Sequence, residues 1–423
     1  MSSNVPDLPP GMGWPFVDAT TGEFQSTAVN DALSATIDAG IDGSAQRLNL
    51  RPDPILQYSA RNIVMASPPT VTEGASATIT AQVINARTDT RIRSLNGVDV
   101  LSSDGNWIQA RGPRKTDGSF DAGFPDYWFS REFMVDCAAI EFRLLGLANK
   151  YVLTVDGERH SATNGTLANT SASRYLKFDF GARKADGTAR RMQLSVQQGQ
   201  LREINLAATD TLFAVQARPA PKLAVLGDSY GTGFATRALV SIHDGYVQHL
   251  ARLLGLVPVN QNCASSTGFI ATNGATAGTY ASRVADIIAL APEVVIVQGS
   301  INDFASSASA VGAAAASVYS TISAALPDSI LIATGIVDAR VQSQQGTDAA
   351  QNAAIQAAAE ANGFTYIDTL GWVTGNGYAG ATTGGGNSDV YTHTDQTHYV
   401  TRGGLYIAAR LAGAIRAVVP QLA

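Results

Sequence analysis

The spacing of hydrophobic and polar positions changes twice along the chain. From about residue 61 to 217 the period is two. Ala77–Ile84 alternates Thr and Ala with Ile79, Val83 and Ile84, and Ile140-Glu-Phe-Arg-Leu alternates apolar and charged residues. Tyr151-Val-Leu-Thr-Val runs into Asp156-Gly157, and Tyr175-Leu-Lys-Phe-Asp-Phe ends at Gly181. Met192–Val196 and Leu201–Leu206 continue the pattern. Such alternation puts one side of each strand in a core and the other toward water. Short strands separated by Gly, Asn and Asp turns, with no helical spacing among them, predict an all-β, jelly-roll-like sandwich.

After the linker Arg218-Pro-Ala-Pro221 the rhythm becomes strand, helix, strand. Strands are predicted at Lys222–Leu226, Val257–Asn262, Glu293–Val297, Ile330–Thr334 and Thr365–Asp368. Helices are predicted at 244–255, 280–291, 309–325, 348–362 and 402–418. Apolar strands alternating with helices imply a parallel sheet of about five strands covered on both faces, an α/β domain of three α/β/α layers. Sites in such sheets form at the carboxyl ends of the strands, where the polar, glycine-rich segments of this half fall. Residues 1–60 follow neither period. They are rich in Pro, Gly, Asp and Thr, with Val29, Leu33 and Ile37 spaced as a short amphipathic helix. We read them as an arm that packs on another domain or on a second copy, giving a homo-oligomer. The expected division is 1–60, 61–217 and 218–423.

Composition narrows the function classes. The chain is 45% hydrophobic and 15% charged with net charge -6, and no basic block offers a nucleic acid footprint. Cys137 and Cys263 are the only cysteines, too few for a disulfide scaffold. Met1–Pro10 has neither the cationic nor the apolar region of a signal peptide, and localisation stays open between cytoplasmic, extracellular and virion-associated. No apolar run reaches the ~18–20 residues of a membrane span; the alanine-rich stretch 308–316 is short and flanked by serines.

The candidate chemistry starts at Gly227-Asp228-Ser229-Tyr230-Gly231, directly after an apolar strand. A serine there sits on a tight turn with its hydroxyl exposed, although Gly, Asp and Ser are also ordinary turn residues. A hydroxyl becomes a useful nucleophile once a base takes its proton, and imidazole suits that task. His398 lies in Asp395-Gln-Thr-His398, just before the last helix. An acid three residues earlier can hold the Nδ1 side of the ring and leave Nε2 to the serine. Acyl transfer also needs donors for the developing oxyanion. The Gly268 amide, in Asn262-Cys-Ala-Ser-Ser-Thr-Gly268, and the Asn302 side chain, in Gly299-Ser-Ile-Asn302-Asp303, stand at adjacent strand ends.

In order and position these four segments resemble the blocks of the SGNH (GDSL-like) hydrolases. Ser229 resembles the block I serine, Gly268 the block II glycine, Asn302 the block III asparagine, and Asp395 with His398 the block V pair. The resemblance covers about residues 220–420. It implies a Ser-His-Asp triad with no cofactor or metal, and an oxyanion hole made by the Ser229 and Gly268 amides with the Asn302 side chain. Two features depart from the family. Ser300 stands where a glycine is usual, with Gly299 one place early, and the block II loop holds Ala264, Ser265 and Ser266 where glycines are common.

Other readings compete. Gly227-x-Ser229-x-Gly231 also fits the nucleophile elbow of α/β-hydrolases, but that fold sets several strands before the serine. His393, Asp395 and His398 form a metal-like cluster, with His160, His243 and His249 outside any ligand motif. A tail component of a phage that only binds glycans is the non-enzymatic alternative; the presence of every catalytic group argues against it.

The substrate expectation rests on the first half. A sandwich ahead of an SGNH domain resembles the layout of some carbohydrate acetylesterases. Trp107, Tyr127, Trp128 and Phe129 are aromatics that stack on sugars or fill the sandwich core. Tyr230 and Phe234 are candidates to wall an acyl pocket. Thr232–Ile242 is too short and mixed for a lipid lid, and Gly375–Ser388 reads as a polar, mobile loop facing substrate. The expectation is hydrolysis of small acyl groups, chiefly acetyl, from an acylated carbohydrate, with a lipase or thioesterase as the alternative.

Overall fold

The computed structural model describes residues 64–95, 99–101, 107–110, 112–117, 119, 128–167, 170–215, 221–232, 244–346, 348–382, 385–419 and 422. The arm 1–60, its expected helix, Tyr127, most of the linker 218–221, and the segment 233–243 with Phe234 and His243 lie outside these residues.

Period-two segments build one antiparallel sheet of 12 strands among the described residues. Its longer members are β1 (Thr70–Gly74), β2 (Trp128–Asp136), β3 (Ala139–Val155), β4 (Thr170–Asp179) and β5 (Arg190–Leu206). β3 pairs with β5 over most of its length, with Thr154 opposite Gln193 and Phe142 opposite Ile204. β2 adds to the first half of β5, and β4 with β1 to the first half of β3. The inward residues Phe133, Phe142, Leu153, Phe178, Met192 and Leu194 form one core, so the sheet folds over on itself as a sandwich.

Two expectations need correcting. Ile140–Leu144 and Tyr151–Val155 are one 17-residue strand, and so are Met192–Val196 and Leu201–Leu206. Gly146 faces Gly199 across the pair, and the register shifts between Gln197 and Gly199. A bulge therefore bends the ribbon where alternation suggested a break. Ala77–Ile84 is a strand only at Gln82–Asn85, because the Thr78 and Ile79 amides donate to the Glu141 carboxylate instead. Of the two readings of the aromatics, burial is the observed one: Trp107, Trp128 and Phe129 are 6%, 6% and 2% exposed, Phe129 in the sandwich core, Trp128 against Val152, and Trp107 beside the Arg143 and Arg202 guanidinium groups.

The second half is a five-stranded parallel sheet. Its elements run β6 (Lys222–Gly227), α1 (Tyr246–Leu253), β7 (Val257–Cys263), α2 (Tyr280–Leu290), β8 (Val294–Gly299), α3 (Ala308–Ala325), β9 (Ile330–Ile336), α4 (Asp348–Ala361), β10 (Thr365–Ile367) and α5 (Thr401–Val418). The strand order β7-β6-β8-β9-β10 places β6 beside the point where the winding reverses, the usual crevice for a site. β8 is buried at every position, which explains its unbroken apolar run. α3 extends well beyond 308–316 and is the one described helix long and apolar enough to cross a membrane. It packs Val311, Ala315, Val318, Tyr319 and Ile322 into the core and leaves Ser309, Ser317 and Ser320 exposed, as an outer layer of this fold does.

One cation fixes the carboxyl ends of β6 and β7. Arg283 on α2 is fully buried and donates to the Gly227 and Asn262 carbonyls and to the Thr267 hydroxyl. The antiparallel half also reaches this region. Arg114 pairs with Asp286 on α2 at 2.9 Å, and its carbonyl accepts from Gly278 N–H at 3.0 Å. Arg283→Leu would remove the guanidinium donors from the Asn262 carbonyl, the Thr267 hydroxyl and the Gly227 carbonyl, the last of which keeps only Ala264 N–H, at a cost of about 2–4 kcal/mol. Urea unfolding of the variant should give an unfolding free energy lower by that amount; an unchanged value would contradict the clamp.

Candidate active site

Ser229 follows β6 in a turn closed by Gly231 N–H donating to the Asp228 carbonyl at 3.1 Å. The last strand residues point their carbonyls into the sheet ladder, so the chain must turn sharply, and Ser229 stands at the apex. Its amide has no acceptor among the described residues. His398 reaches it from the opposite side of the crevice, with Nε2 3.0 Å from Ser229 Oγ. His398 Nδ1 lies 2.8 Å from Asp395 Oδ2. Both ring nitrogens are thus engaged in one row of Ser229, His398 and Asp395.

The loop that carries His398 is a tight hairpin. Thr392 and Tyr399 pair as a bridge, and His393 N–H donates to the His398 carbonyl at 2.7 Å. Asp395 Oδ1 accepts from the amides of Thr397 at 3.0 Å and His398 at 2.9 Å. Burial alone would raise the Asp395 carboxyl. The His398 side chain and those two amides outweigh it and hold the group well below the usual carboxylate range. Gln396 at the tip adopts a left-handed conformation, φ 59°, and its carbonyl accepts from Val341 N–H. His393 lies beside Asp395, 3.5 Å from Oδ1, and outside the row. Among the described residues no cluster of His, Cys, Asp or Glu is arranged to hold a metal ion.

Asn302 and Gly268 approach from β8 and β7, and they differ. Asn302 Nδ2 donates to the Thr267 carbonyl at 3.0 Å, an acceptor-only group that fixes the nitrogen's side of the amide. The Gly268 amide, expected as an oxyanion donor, instead donates to the Ala271 carbonyl at 3.0 Å. What the glycine provides here is room. A Cβ at 268 would stand 2.4 Å from Asp303 Oδ2. The Asp303 carboxylate accepts from the amides of Phe269, Ile270 and Ala271 and so pins the loop from outside. Gly299, early by family spacing, is where β8 meets β9: a Cβ there would be 2.8 Å from the Gly335–Ile336 backbone.

The sequence did not mark the groups beneath the serine. Asp228 is fully buried and accepts from Tyr230 N–H at 3.0 Å, Gln298 Nε2 at 2.7 Å and Ser300 Oγ at 2.9 Å. Tyr230 does not wall a pocket. It is unexposed and donates its hydroxyl to the Thr397 carbonyl at 2.7 Å, tying the serine turn to the His398 loop. The segment Gly375–Ser388, expected to be mobile, is stitched down at several points. Gly375 accepts from Gln342 N–H at 2.8 Å, Asn376 Oδ1 from Ser343 N–H at 2.8 Å, and Ala379 donates to the Thr392 carbonyl at 2.8 Å.

Residues 225–403 match the GDSL-like Lipase/Acylhydrolase family. No curated protein matches the chain in sequence. Solved structures similar to it include a family two carbohydrate esterase from Cellvibrio japonicus, 13% identical, covering 84% of this chain and 100% of that one with a TM-score of 0.53. An acetyl xylan esterase from Butyrivibrio proteoclasticus is 12% identical over 80% of this chain and 100% of its own, TM-score 0.54. A salicylyl-acyltransferase from a tetracycline biosynthetic pathway is 16% identical over 80% and 99%, TM-score 0.56. At such identities the likeness is one of fold. It extends past the GDSL-like part into the antiparallel half.

The two carboxylates of the site have opposite pH signatures. Asp395 is depressed, so its contribution to stability is present above the usual carboxylate range and is lost as pH falls below it. Burial pushes Asp228 up to about 6, against the hydrogen bonds from Tyr230, Ser300 and Gln298. A raised acid favours folding fully below its unfolded value near 4 and loses that advantage as pH rises through about 6. Relative to Asp228→Asn, the wild-type protein should therefore lose up to ~3 kcal/mol of unfolding free energy between pH 4 and pH 7.5. Urea titrations of both proteins at several pH values measure the difference. Parallel curves would show that Asp228 is not the raised group.

Proposed function

We propose that this protein is a serine esterase that removes small acyl groups, acetyl foremost, from a carbohydrate through an acyl-Ser229 intermediate. The observation that carries this reading is the row Ser229 Oγ, His398 Nε2, His398 Nδ1 and Asp395 Oδ2, with spacings of 3.0 and 2.8 Å. His398 Nε2 takes the hydroxyl proton as Ser229 Oγ attacks the acyl carbonyl. Asp395 remains ionised, holds the ring by Nδ1 and stabilises the imidazolium. The negative oxygen of the tetrahedral intermediate meets the Ser229 amide and Asn302 Nδ2. Collapse breaks the bond to the sugar oxygen, which leaves with the proton from His398. Water, deprotonated by the same nitrogen, then releases the acid and regenerates Ser229.

The Gly268 amide belongs to this oxyanion hole only if it exchanges its bond to Ala271 for one to the substrate oxygen. The carbohydrate part of the reading is supported by the carbohydrate esterases that share both halves of the fold. The acetyl part is supported by the acetyl xylan esterase among the structures of the same fold.

Ser229→Ala should retain its fold and lose at least roughly 10³-fold in ester hydrolysis, and His398→Ala nearly as much, because the pair acts as a unit. Normal turnover by a folded Ser229→Ala protein would end the mechanism. On a series of p-nitrophenyl esters, kcat/KM should be highest for acetyl and fall with chain length, and acetylated polysaccharides should release acetate. A maximum at octanoyl or longer would replace the carbohydrate reading with a lipase or thioesterase.

A further inference from the structure

Ser300 stands in the block III position where the resemblance leads one to expect glycine, and its hydroxyl is the hub of the groups behind the oxyanion site. It is 1% exposed. The Asn302 amide donates to its Oγ at 3.1 Å, making Ser300 the cap of the short 3-10 turn Ile301–Asp303, and Asn302 Nδ2 approaches it at 3.2 Å. On the other side lie Asp228 Oδ2 at 2.9 Å and the Thr267 carbonyl at 2.8 Å. A hydroxyl has one proton and two acceptor positions, so it cannot donate to both of these at once. With that proton given to Asp228 Oδ2, its two acceptor positions take the Asn302 backbone amide and Asn302 Nδ2, so Ser300 links Asp228 to Asn302. A glycine could do neither, and the Asn302 side chain would be held by the Thr267 carbonyl alone.

We propose that Ser300 is a positioning residue for ester hydrolysis: anchored on Asp228, its hydroxyl holds the Asn302 backbone amide and shares one Nδ2 proton with the adjacent Thr267 carbonyl, so that the second Nδ2 proton is left to meet the oxyanion. This rests on the reading of Asn302 as an oxyanion donor and adds the residue through which that donor is aimed. The chemistry favours such a device. A donor contributes to the transition state in proportion to how well it is placed before reaction, and the Asn302 side chain is only partly buried. The route is indirect, since Ser300 Oγ faces Asn302, Asp228 and Thr267 and none of its recorded partners is Ser229 or His398.

A double-mutant cycle tests it, with kcat and KM measured on p-nitrophenyl acetate for wild type, Ser300→Ala, Asn302→Ala and the double variant. Asn302→Ala should lower kcat roughly 10²-fold with little change in KM. Ser300→Ala should lower kcat about 10-fold, again with KM nearly constant, and should add nothing in the Asn302→Ala background. A loss from Ser300→Ala that is the same size with and without Asn302 would overturn the proposal, because it would then act elsewhere. So would wild-type kcat in Ser300→Ala beside an impaired Asn302→Ala, which leaves the esterase reading standing. Wild-type kcat in Asn302→Ala would instead remove the oxyanion role and this inference together. If Ser300→Ala does not fold, Ser300→Gly, the residue the resemblance expects, takes its place in the cycle with the same criteria.

Discussion

A carboxylate with no access to water lies directly under Ser229, and the geometry of the site depends on how it is satisfied. Asp228 collects one backbone donor from its own turn and two side-chain donors from the end of β8. An unsatisfied charge there would cost several kcal/mol, so these partners are required rather than incidental. Gln298 is held in turn by the Tyr246 hydroxyl at 2.7 Å, which brings α1 into the same network. The turn that presents the serine and the strand end that presents Asn302 are thereby parts of one object.

The histidine side is tied to that object by aromatic residues. Tyr230 is the neighbour of the serine, and its hydroxyl meets the Thr397 carbonyl while accepting from Ala339 N–H at 3.3 Å. Tyr399, the neighbour of His398, stacks on Tyr230 with ring centres 5.9 Å apart and donates its hydroxyl to the Tyr230 carbonyl. Each residue of the Ser229–His398 contact thus has its next neighbour bonded to the other's loop. The 3.0 Å spacing is set by packed rings and two hydrogen bonds between residues 169 or 167 positions apart in sequence. The row is assembled without a substrate.

Much of this was legible before any coordinates. The switch from period two to strand-helix alternation located both sheets, because burial on one face and burial on two faces leave different hydropathy traces. Ser229, Asp395 and His398 were visible as polar residues at strand and loop ends. What escaped was long-range. The continuity of β3 and β5 depends on Gly146 meeting Gly199, a pairing that neither segment reveals alone. Tyr230 looked like a pocket wall because its partner, the Thr397 carbonyl, is far away in sequence and is a backbone group that carries no residue signature. The bond from the Gly268 amide to the Ala271 carbonyl was hidden for the same reason, since its acceptor is a loop carbonyl.

The proposed oxyanion side shows how neighbouring residues divide one task. Asn302 and Asp303 lie in a single 3-10 turn, yet they hold opposite ends of the block II loop. Asn302 Nδ2 binds the Thr267 carbonyl, just before Gly268, while the Asp303 carboxylate takes the three amides just after it. The Thr267–Gly268 peptide is caught between them. In a trans peptide the carbonyl and the N–H point in opposite directions, so a Thr267 carbonyl turned toward Asn302 sends the Gly268 N–H away, toward Ala271. Any rotation that frees the Gly268 amide for a substrate oxygen must also withdraw the Thr267 carbonyl from Asn302 and Ser300. The two donors are therefore linked: recruiting the glycine amide releases the asparagine side chain from its backbone acceptor, and the Ser300 hydroxyl is the contact that remains to hold it.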